Sequence, residues 1–494
     1  MINYKNIFLF ALIFISQLAV GQNIVKNLDI PSLQNASIGF LALTISGDTI
    51  ASSNPTLNLV PASNLKLITT GAAIHSLGGD YRFETKIGYS GKISNGILEG
   101  DIYIIGGGDP TLAAKDSSAL DIERIFSEWT RIIKTAGINK INGYIVGDDR
   151  LFEENMAEED SWSYSDLGVY YGAGARALNF YENVQDFSVK PAKNKYERPI
   201  IRPTYPVCPW MKYTYKTQSG KPKSGNSLYY YTTDLAPVGE VRGSFAIDRN
   251  AKTEHFSNKF PAYTCAEYFK NHLNEEGITV SMGCADMSNA FSLPASRLIE
   301  QDSVKIIGST FSPELKDIIY ECNHESNNFY AEAIMKTLGR EYCERACYDS
   351  AYVAINGIIR ELLPDYKKGM KISDGSGLSR ENLITSEFMC NFLKRMLDSP
   401  NFSDYIESIP SPSDEGTLKY LMPKSSEQVR SRIKMKSGSL SGVRCFSGYI
   451  IPKEEQNLGN TIVFSLLINN FNSKTYILQP SIDQLLDDLV NYYD

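Results

Sequence analysis

Ser63 and Lys66 lie three residues apart in the segment "PASNLKLITT", where a run with helical apolar spacing begins. Pro61 favours a helix start, and Gly78-Gly79 favours its end. Residues i and i+3 share one helix face, so the Ser63 hydroxyl and the Lys66 amine would be neighbours. A serine nucleophile needs a base in contact with it. The alternative is structural, with Ser63 as a helix cap and Lys66 as a solvated charge.

The same spacing occurs a second time, at Ser431 and Lys434 in "SRIKMKSG". At ordinary residue frequencies a chain of this length contains about two such pairs by chance. The stretch "RIKMK" alternates and reads as a strand, where the two side chains share no helical face. Context, and not spacing, therefore favours Ser63.

A triplet in a C-terminal strand-like segment, "KMKSGSLSG", supplies groups that could converge on Ser63. Lys436 and Ser437 would place an ammonium and a hydroxyl along a groove, and Gly438 would let a substrate backbone approach closely. An ammonium and a hydroxyl can both bind a substrate carboxylate. A second Lys-Ser-Gly triplet, beginning at Lys223 in "GKPKSGNS", reads as a solvated loop.

The segment "HESNNFYAEAIMK" carries Ser326, Asn327 and Asn328 at a junction between two helical patterns. Taken alone, these residues are typical of a capped helix start. The order Ser-x-x-Lys on a helix, Ser-x-Asn in a loop and Lys-[Ser/Thr]-Gly on a strand is the motif set of penicillin-recognising serine enzymes.

Composition excludes several other classes of function. The formal net charge is −8 and no basic run is present, so nucleic acid is not expected as a partner. The four histidines are scattered without ligand spacing, and no Cys-x-x-Cys pair occurs, so neither a metal site nor another cofactor is expected. Eight cysteines would allow disulfides in an exported chain, but the sequence does not select their pairing.

The chain opens with "MINYKNIFLFALIFISQLAVGQN", in which Lys5 precedes an apolar run and small residues precede Gln22. This pattern predicts an export signal over residues 1–21 that is cleaved after Gly21. No later stretch is long and apolar enough to span a bilayer. The mature protein is expected outside the cytoplasm, without a transmembrane segment.

The two ends of the chain carry the clearest strand patterns. Residues 37–53 alternate around Gly47-Asp48 and predict a hairpin. Three more strand patterns and an amphipathic helix end the chain, which suggests one sheet built from both ends, with the middle as an insertion. The middle is rich in tyrosine, as in "SLYYYTTD". Such clusters could bind glycans or line half-buried strands.

The chain resembles the penicillin-binding protein 4 type D-alanyl-D-alanine carboxypeptidase/endopeptidase family over essentially its whole mature length. The three motifs are joined by further segments that look like that family's signatures. They are "GGGDPTL" (106–112), "GDDRLF" (147–152), "DLGVYYGAGARALNFYEN" (166–183), "DGSGLSREN" (374–382) and "DEGTL" (414–418).

This resemblance implies a multidomain α+β fold: a transpeptidase-like domain with an antiparallel sheet, helices on both faces, and two β-rich domains inserted after the Ser-x-x-Lys helix. The expected boundaries are the signal at 1–21, the catalytic domain at 22–69 and 283–494, inserted domain II at 70–92 and 155–282, and nested domain III at 93–154.

The resemblance also implies an activity: serine-type D-Ala-D-Ala carboxypeptidase, with D,D-endopeptidase action left open, on peptidoglycan stem peptides in the periplasm or cell envelope. β-Lactam antibiotics would acylate Ser63. Lys66 would be the general base, its pKa lowered by burial and a second cation, Lys436. Ser326 would relay a proton and Asn328 would hold the substrate amide.

The same resemblance assigns the substrate-binding groups. Lys436 and Ser437 would bind the terminal carboxylate, and Gly438 would admit the substrate backbone. The backbone N–H groups of Ser63 and Ser439 would form the oxyanion hole.

Two departures from the family pattern bear on these roles. Asn327 stands where the family usually has Asp, and Ser437 where it usually has Thr. Serine keeps the hydroxyl, whereas Asn327 removes a charge beside the site. A β-lactamase and a catalytically weakened wall-binding or sensor scaffold remain the alternatives.

Overall fold

The computed structural model describes residues 21–152, 157–288, 290–365, 370–453 and 459–493. The predicted export signal lies outside the described residues, apart from Gly21.

The strands among the described residues are β1 (Ser37–Thr44), β2 (Thr49–Ser53), β3 (Glu84–Tyr89), β4 (Lys92–Ser94), β5 (Ile97–Glu99), β6 (Ile102–Ile105), β7 (Lys140–Ile141), β8 (Tyr144–Asp148), β9 (Val184–Lys190), β10 (Ile200–Tyr205), β11 (Lys212–Gly220), β12 (Tyr229–Thr232), β13 (Val238–Ala246), β14 (Lys252–Ser257), β15 (Thr279–Val280), β16 (Gly283–Asp286), β17 (Lys305–Phe311), β18 (Ile433–Leu440), β19 (Val443–Ile450) and β20 (Ile462–Asn469).

The α-helices from residue 31 onward are α1 (Leu65–Leu77), α2 (Ile122–Thr135), α3 (Pro261–Glu275), α4 (Leu315–His324), α5 (Asn328–Cys343), α6 (Tyr348–Leu362), α7 (Ser386–Met396), α8 (Phe402–Ser408), α9 (Glu427–Ser431) and α10 (Thr475–Val490).

The chain divides into two compact units. The first contains the described residues up to Gly79, Ile319–Ala331 and the chain from Tyr352 onward; the second contains Asp80–Ile318 and Glu332–Ala351. The finer division into inserted domain II and nested domain III stays a prediction.

The first unit contains an antiparallel sheet with strand order β18-β19-β20-β1-β2. β1 pairs with β20 from Ser37 opposite Asn469 to Thr44 opposite Ile462, so both chain ends build one sheet, as their strand patterns predict. The predicted hairpin is β1 and β2. β18 is an edge strand, because it pairs with β19 on one side only. The third motif lies on this edge strand.

Helices cover both faces of this sheet. Alternate residues of β20, Phe464, Leu466 and Ile468, belong to the same buried cluster as Leu485 and Leu489 of α10. On the other face α7 contacts β1, β19 and β20. Burial of each such apolar side chain stabilises the fold by about 2 kcal/mol relative to exposure. The sheet is therefore a rigid support for residues at its edge.

The second unit is rich in short strands. Its sheets have the strand orders β10-β9-β14, β11-β13-β12, β15-β7-β5-β4 and β16-β8-β6-β3-β17. α2 and α3 pack around Trp129, Phe126 and Phe269, whose rings meet at centroid distances of 5.2 to 5.4 Å. This unit holds the tyrosine-rich strands that the sequence contains between the first and second motifs.

Candidate active site

Ser63 lies in a 3₁₀ turn, Ala62–Asn64, that leads directly into α1. The sequence places it in the first turn of the helix, and the structure differs only in the tighter winding of this turn. Lys66 follows in the first α-helical turn, and its Nζ donates to Ser63 Oγ at 3.1 Å. Lys66 is fully buried, whereas Ser63 is only half-buried, so the hydroxyl is accessible to a reactant.

The Lys66 amine is held by two further acceptors. Its Nζ lies 2.6 Å from Asn328 Oδ1 and 2.9 Å from the backbone carbonyl oxygen of Ser376. Residues more than 200 positions away in sequence thus fix the direction of the amine. This orientation gives Lys66 the geometry that a base for Ser63 requires.

The Ser376 carbonyl is a site group that the sequence analysis does not identify. A tight turn aims it at Lys66: the buried Asp374 carboxylate accepts from Gly377 N at 2.8 Å and from Ser379 N at 2.6 Å. The neighbouring carbonyl of Gly375 accepts from Thr69 on α1 at 2.7 Å. The segment "DGSGLSREN" was the available signal, because its two glycines mark a turn.

The second motif lies in the turn between α4 and α5. Ser326 has a φ of 59°, a left-handed conformation that is uncommon for serine. Asn327 caps α5, because its Oδ1 accepts from Tyr330 N at 3.2 Å. Helix capping accounts for Asn327, and an aspartate could do the same. It does not account for Asn328, whose side chain contacts Lys66.

The third motif lies on the edge strand β18, where Lys436 is fully buried. Burial, and secondly the nearby Lys66 ammonium, lowers the pKa of Lys436 from its ordinary 10.5 to about 7. Its Nζ donates to the carbonyl oxygen of Ser437 at 3.2 Å. Two buried amines that repel each other form the electropositive centre of this site.

Gly438 lies directly against the turn that carries Ser63. A Cβ at this position would be 2.8 Å from the Pro61 carbonyl oxygen and 3.0 Å from Ser63 N, so a side chain would displace the turn. The next residue, Ser439, is exposed, and its hydroxyl accepts from Arg444 Nη1 at 2.5 Å. The edge of β18 therefore lies beside the nucleophile.

The second copies of the Ser-x-x-Lys and Lys-Ser-Gly motifs lie elsewhere. Ser431 ends the short helix α9, whereas Lys434 is on β18 and lies 3.7 Å from Asp414. Lys223 is exposed on a turn, where its backbone N–H donates to the Asp248 carboxylate. Neither second copy shares the buried surroundings of Lys66 and Lys436.

A serine beside a buried lysine, a second buried lysine and an edge strand define a serine acyl-transfer centre. The D-Ala-D-Ala carboxypeptidase 3 (S13) family matches residues 20–489. The chain therefore belongs to this family of serine peptidases, and it is a serine-type D-Ala-D-Ala carboxypeptidase. The predicted penicillin-binding protein 4 type family is confirmed.

Two curated relatives are similar over most of the chain. A D-alanyl-D-alanine carboxypeptidase of Actinomadura sp. (strain R39) is 28% identical over 452 residues, 88% of this chain and 79% of that protein. The D-alanyl-D-alanine carboxypeptidase DacB of Haemophilus influenzae is 24% identical over 454 residues, 89% of this chain and 87% of that protein.

Solved structures show the same fold. Penicillin-binding protein 4 of Haemophilus influenzae superposes with a TM-score of 0.77 at 23% identity, covering 96% of this chain and 98% of that chain. The same protein complexed with a novel β-lactam gives a TM-score of 0.73 at 21% identity and covers 95% and 99% of the two chains. The predicted fold class, a transpeptidase-like domain with an insertion after the Ser-x-x-Lys helix, is confirmed.

Across the part of the chain that the structure describes, no helix has the length and apolar character needed to cross a membrane. Within the same residues, no cluster of three or more His, Cys, Asp or Glu side chains is arranged to hold a metal ion. None of the eight cysteines, all of which lie among the described residues, forms a disulfide.

Proposed function

We propose that the protein cleaves the terminal D-Ala-D-Ala bond of peptidoglycan stem peptides through an acyl-enzyme on Ser63. The observation that carries this proposal is the contact of Ser63 Oγ with a fully buried lysine whose amine is held by Asn328 and Ser376. These contacts hold the amine beside the Ser63 hydroxyl.

In the acylation step, the substrate carboxylate favours the protonated form of Lys436, which disfavours a second charge on Lys66. Lys66 in its neutral form then takes the proton of Ser63 as Oγ attacks the carbonyl carbon of the penultimate D-alanine. A C–O bond forms, and the backbone N–H groups of Ser63 and Ser439 bind the oxyanion. The C–N bond then breaks, while Ser326 relays the proton to the leaving amine of the terminal D-alanine. Water, activated by the same base, hydrolyses the ester and regenerates Ser63.

The substrate carboxylate binds at Lys436 and Ser437. An approaching anion favours the protonated form of Lys436, whose pKa of about 7 leaves it partly neutral before binding. Asn328 holds the substrate amide, and Gly438 permits the close approach of the substrate along β18. The negatively charged end of the peptide therefore binds at the electropositive centre.

Penicillin would acylate Ser63 in the same way, because its strained ring amide presents a carbonyl carbon beside a carboxylate. The relative from Haemophilus influenzae has been crystallised with a β-lactam, which supports this part of the proposal through the shared fold. Endopeptidase action on crosslinks needs the same acyl-enzyme with a longer leaving group.

We place the mature protein in the periplasm or cell envelope, after cleavage of the signal over residues 1–21. The sequence pattern at that end supports export. The inserted region is proposed to comprise domain II (70–92 and 155–282) with domain III (93–154) nested within it.

The test is release of D-alanine from a peptide that ends in D-Ala-D-Ala. Lys66→Ala should abolish release while the fold is retained, because the base is lost. Lys223→Ala, which removes the lysine of the exposed Lys-Ser-Gly triplet, should leave the rate unchanged. A Lys66→Ala variant with the wild-type rate would refute the base assignment.

A further inference from the structure

Five tyrosines of the second unit lie together on the segment 163–172 and on β12. Three of them are strongly exposed: Tyr164 by 67%, Tyr170 by 57% and Tyr229 by 47%. Tyr171 is 36% exposed, and Tyr231 is half-buried. We call these five residues the tyrosine surface. Large aromatic side chains grouped in water are uncommon unless they contact something.

Four of the five rings make pairwise contacts. Tyr164 and Tyr231 stack with a centroid distance of 5.5 Å and an interplanar angle of 26°. Tyr170 meets Tyr171 edge-on at 5.4 Å and His255 at 6.3 Å. The Arg242 guanidinium lies 4.8 Å from the Tyr231 ring centroid. The tyrosine surface therefore combines flat and edge-on rings over several side chains.

The backbone beneath these rings is fixed before any ligand arrives. Gly168 packs so closely on β12 that a Cβ there would be 1.5 Å from the Tyr230 carbonyl oxygen. Its own carbonyl accepts from Ser257 N at 3.0 Å, and Val169 bridges to Phe256 of β14. A fixed backbone lowers the entropy lost on binding.

Polar groups border the tyrosine surface. Asp166 accepts from the Tyr171 hydroxyl at 3.1 Å, and burial with this carboxylate raises the pKa of Tyr171 to about 12. His255 Nδ1 lies 2.6 Å from Asp186 Oδ1, which also accepts from Lys115 at 2.9 Å. The border thus presents donors and acceptors whose charges largely compensate one another.

This chemistry disfavours two kinds of ligand. A polyanion such as nucleic acid is disfavoured, because the chain has a net charge of −8 and carboxylates border the rings. A lipid surface is disfavoured, because the cations at this surface are paired with carboxylates: Arg242 with Glu240, and Lys115 with Asp186.

A neutral sugar polymer fits both the exposed rings and the polar border of compensated charge. The C–H face of a pyranose packs on the electron-rich face of an aromatic ring, and its hydroxyl and acetamido groups bond to the polar border. We propose that the tyrosine surface binds the N-acetylated glycan strands of peptidoglycan. This choice of glycan rests on the proposed function, since those strands carry the stem peptides. Tyrosines that only support the sheet, such as Tyr230 at 1% exposure, are buried instead.

The test is co-sedimentation of the mature Ser63→Ala protein with peptidoglycan sacculi from which an amidase has removed the stem peptides. Binding is expected, and a soluble N-acetylated β-1,4 tetrasaccharide should release it, whereas added salt should not. Replacing Tyr164, Tyr170 and Tyr229 together by alanine should weaken binding about tenfold or more. Tyr196→Ala is the matched control, because Tyr196 is 87% exposed but outside the surface.

The same triple variant with Ser63 intact should react with benzylpenicillin at the wild-type rate, which shows that the protein is folded. No sedimentation of the Ser63→Ala protein, or equal sedimentation of the triple variant, would overturn the inference. Loss of binding in salt would also overturn it, because charge would then be the cause. A protein that sediments through its tyrosines but fails to react with penicillin would refute the proposed function and retain the inference.

Discussion

Replacing Lys436 by methionine removes a buried amine and keeps most of the aliphatic stem. Burial and Lys66 lower the pKa of Lys436 from 10.5 to about 7. Between these pH values the unfolded chain holds a proton on this side chain that the folded chain has released. The unfolded state therefore binds more protons, so the stability of the wild-type protein rises with pH across this window. The methionine variant lacks this contribution.

The magnitude follows from the pKa difference. One proton of difference changes the free energy of unfolding by about 1.4 kcal/mol per pH unit. Between about pH 7.5 and pH 9, where Lys436 is mostly neutral in the folded state, the wild-type protein should gain roughly 2 kcal/mol relative to Lys436→Met. Lys436 is still partly protonated near pH 7.5, so the gain in free energy of unfolding is slightly less than one full proton of difference would give.

Urea denaturation of both proteins at the two pH values measures this gain. Lys223→Met is the control, because it removes an exposed amine and should show no pH-dependent difference from wild type. Parallel stability profiles for wild type and Lys436→Met would mean that Lys436 stays protonated in the folded protein. The reasoning that burial and Lys66 discharge it would then be wrong.

Two further substitutions test the positioning of the base. Asn328→Asp places a carboxylate 2.6 Å from the Lys66 amine and stabilises the protonated form of Lys66. Penicillin acylation measured by stopped flow should therefore slow about a hundredfold. An unchanged rate would contradict this. Gly377→Ala should lower the free energy of unfolding by about 3 kcal/mol, because φ is 86° and the Cβ would be 1.9 Å from the Ala62 carbonyl oxygen. Gly225→Ala has a similar φ of 81° but open space, so denaturation should show a loss of only about 1 kcal/mol; equal losses would contradict the packing argument.

The sequence predicts local features of the site well. Ser63 and Lys66 are three residues apart, and a helix alone brings them together. The hairpin around Gly47-Asp48 and the C-terminal strands also depend on short-range apolar patterns, and their pairing into one sheet is confirmed by β1 and β20. Helix boundaries are harder to predict: α10 begins at Thr475 and includes Pro480, a residue type that favours the first turn of a helix. The buried Leu478 explains the extra turn, because its packing favours helix before Pro480.

Groups that act through the backbone, or through burial, could not be predicted in this way. The Ser376 carbonyl contacts Lys66 across 310 positions, and any residue type carries such a carbonyl. The lowered pKa of Lys436 depends on full burial beside another amine, which no spacing on a strand reveals. Ser326 carries a hydroxyl that the sequence identifies, but its left-handed φ belongs to the turn that the folded chain imposes.

The central claim is that Ser63 forms a covalent acyl-enzyme. Intact-protein mass spectrometry of the mature chain with benzylpenicillin, followed over time beside a Ser63→Ala variant, tests it most directly. We expect a stable adduct with the mass of benzylpenicillin on the wild type and none on the variant. An adduct that disappears as penicillin is hydrolysed would identify a β-lactamase, and no adduct on the wild type would contradict the account and favour a catalytically silent scaffold.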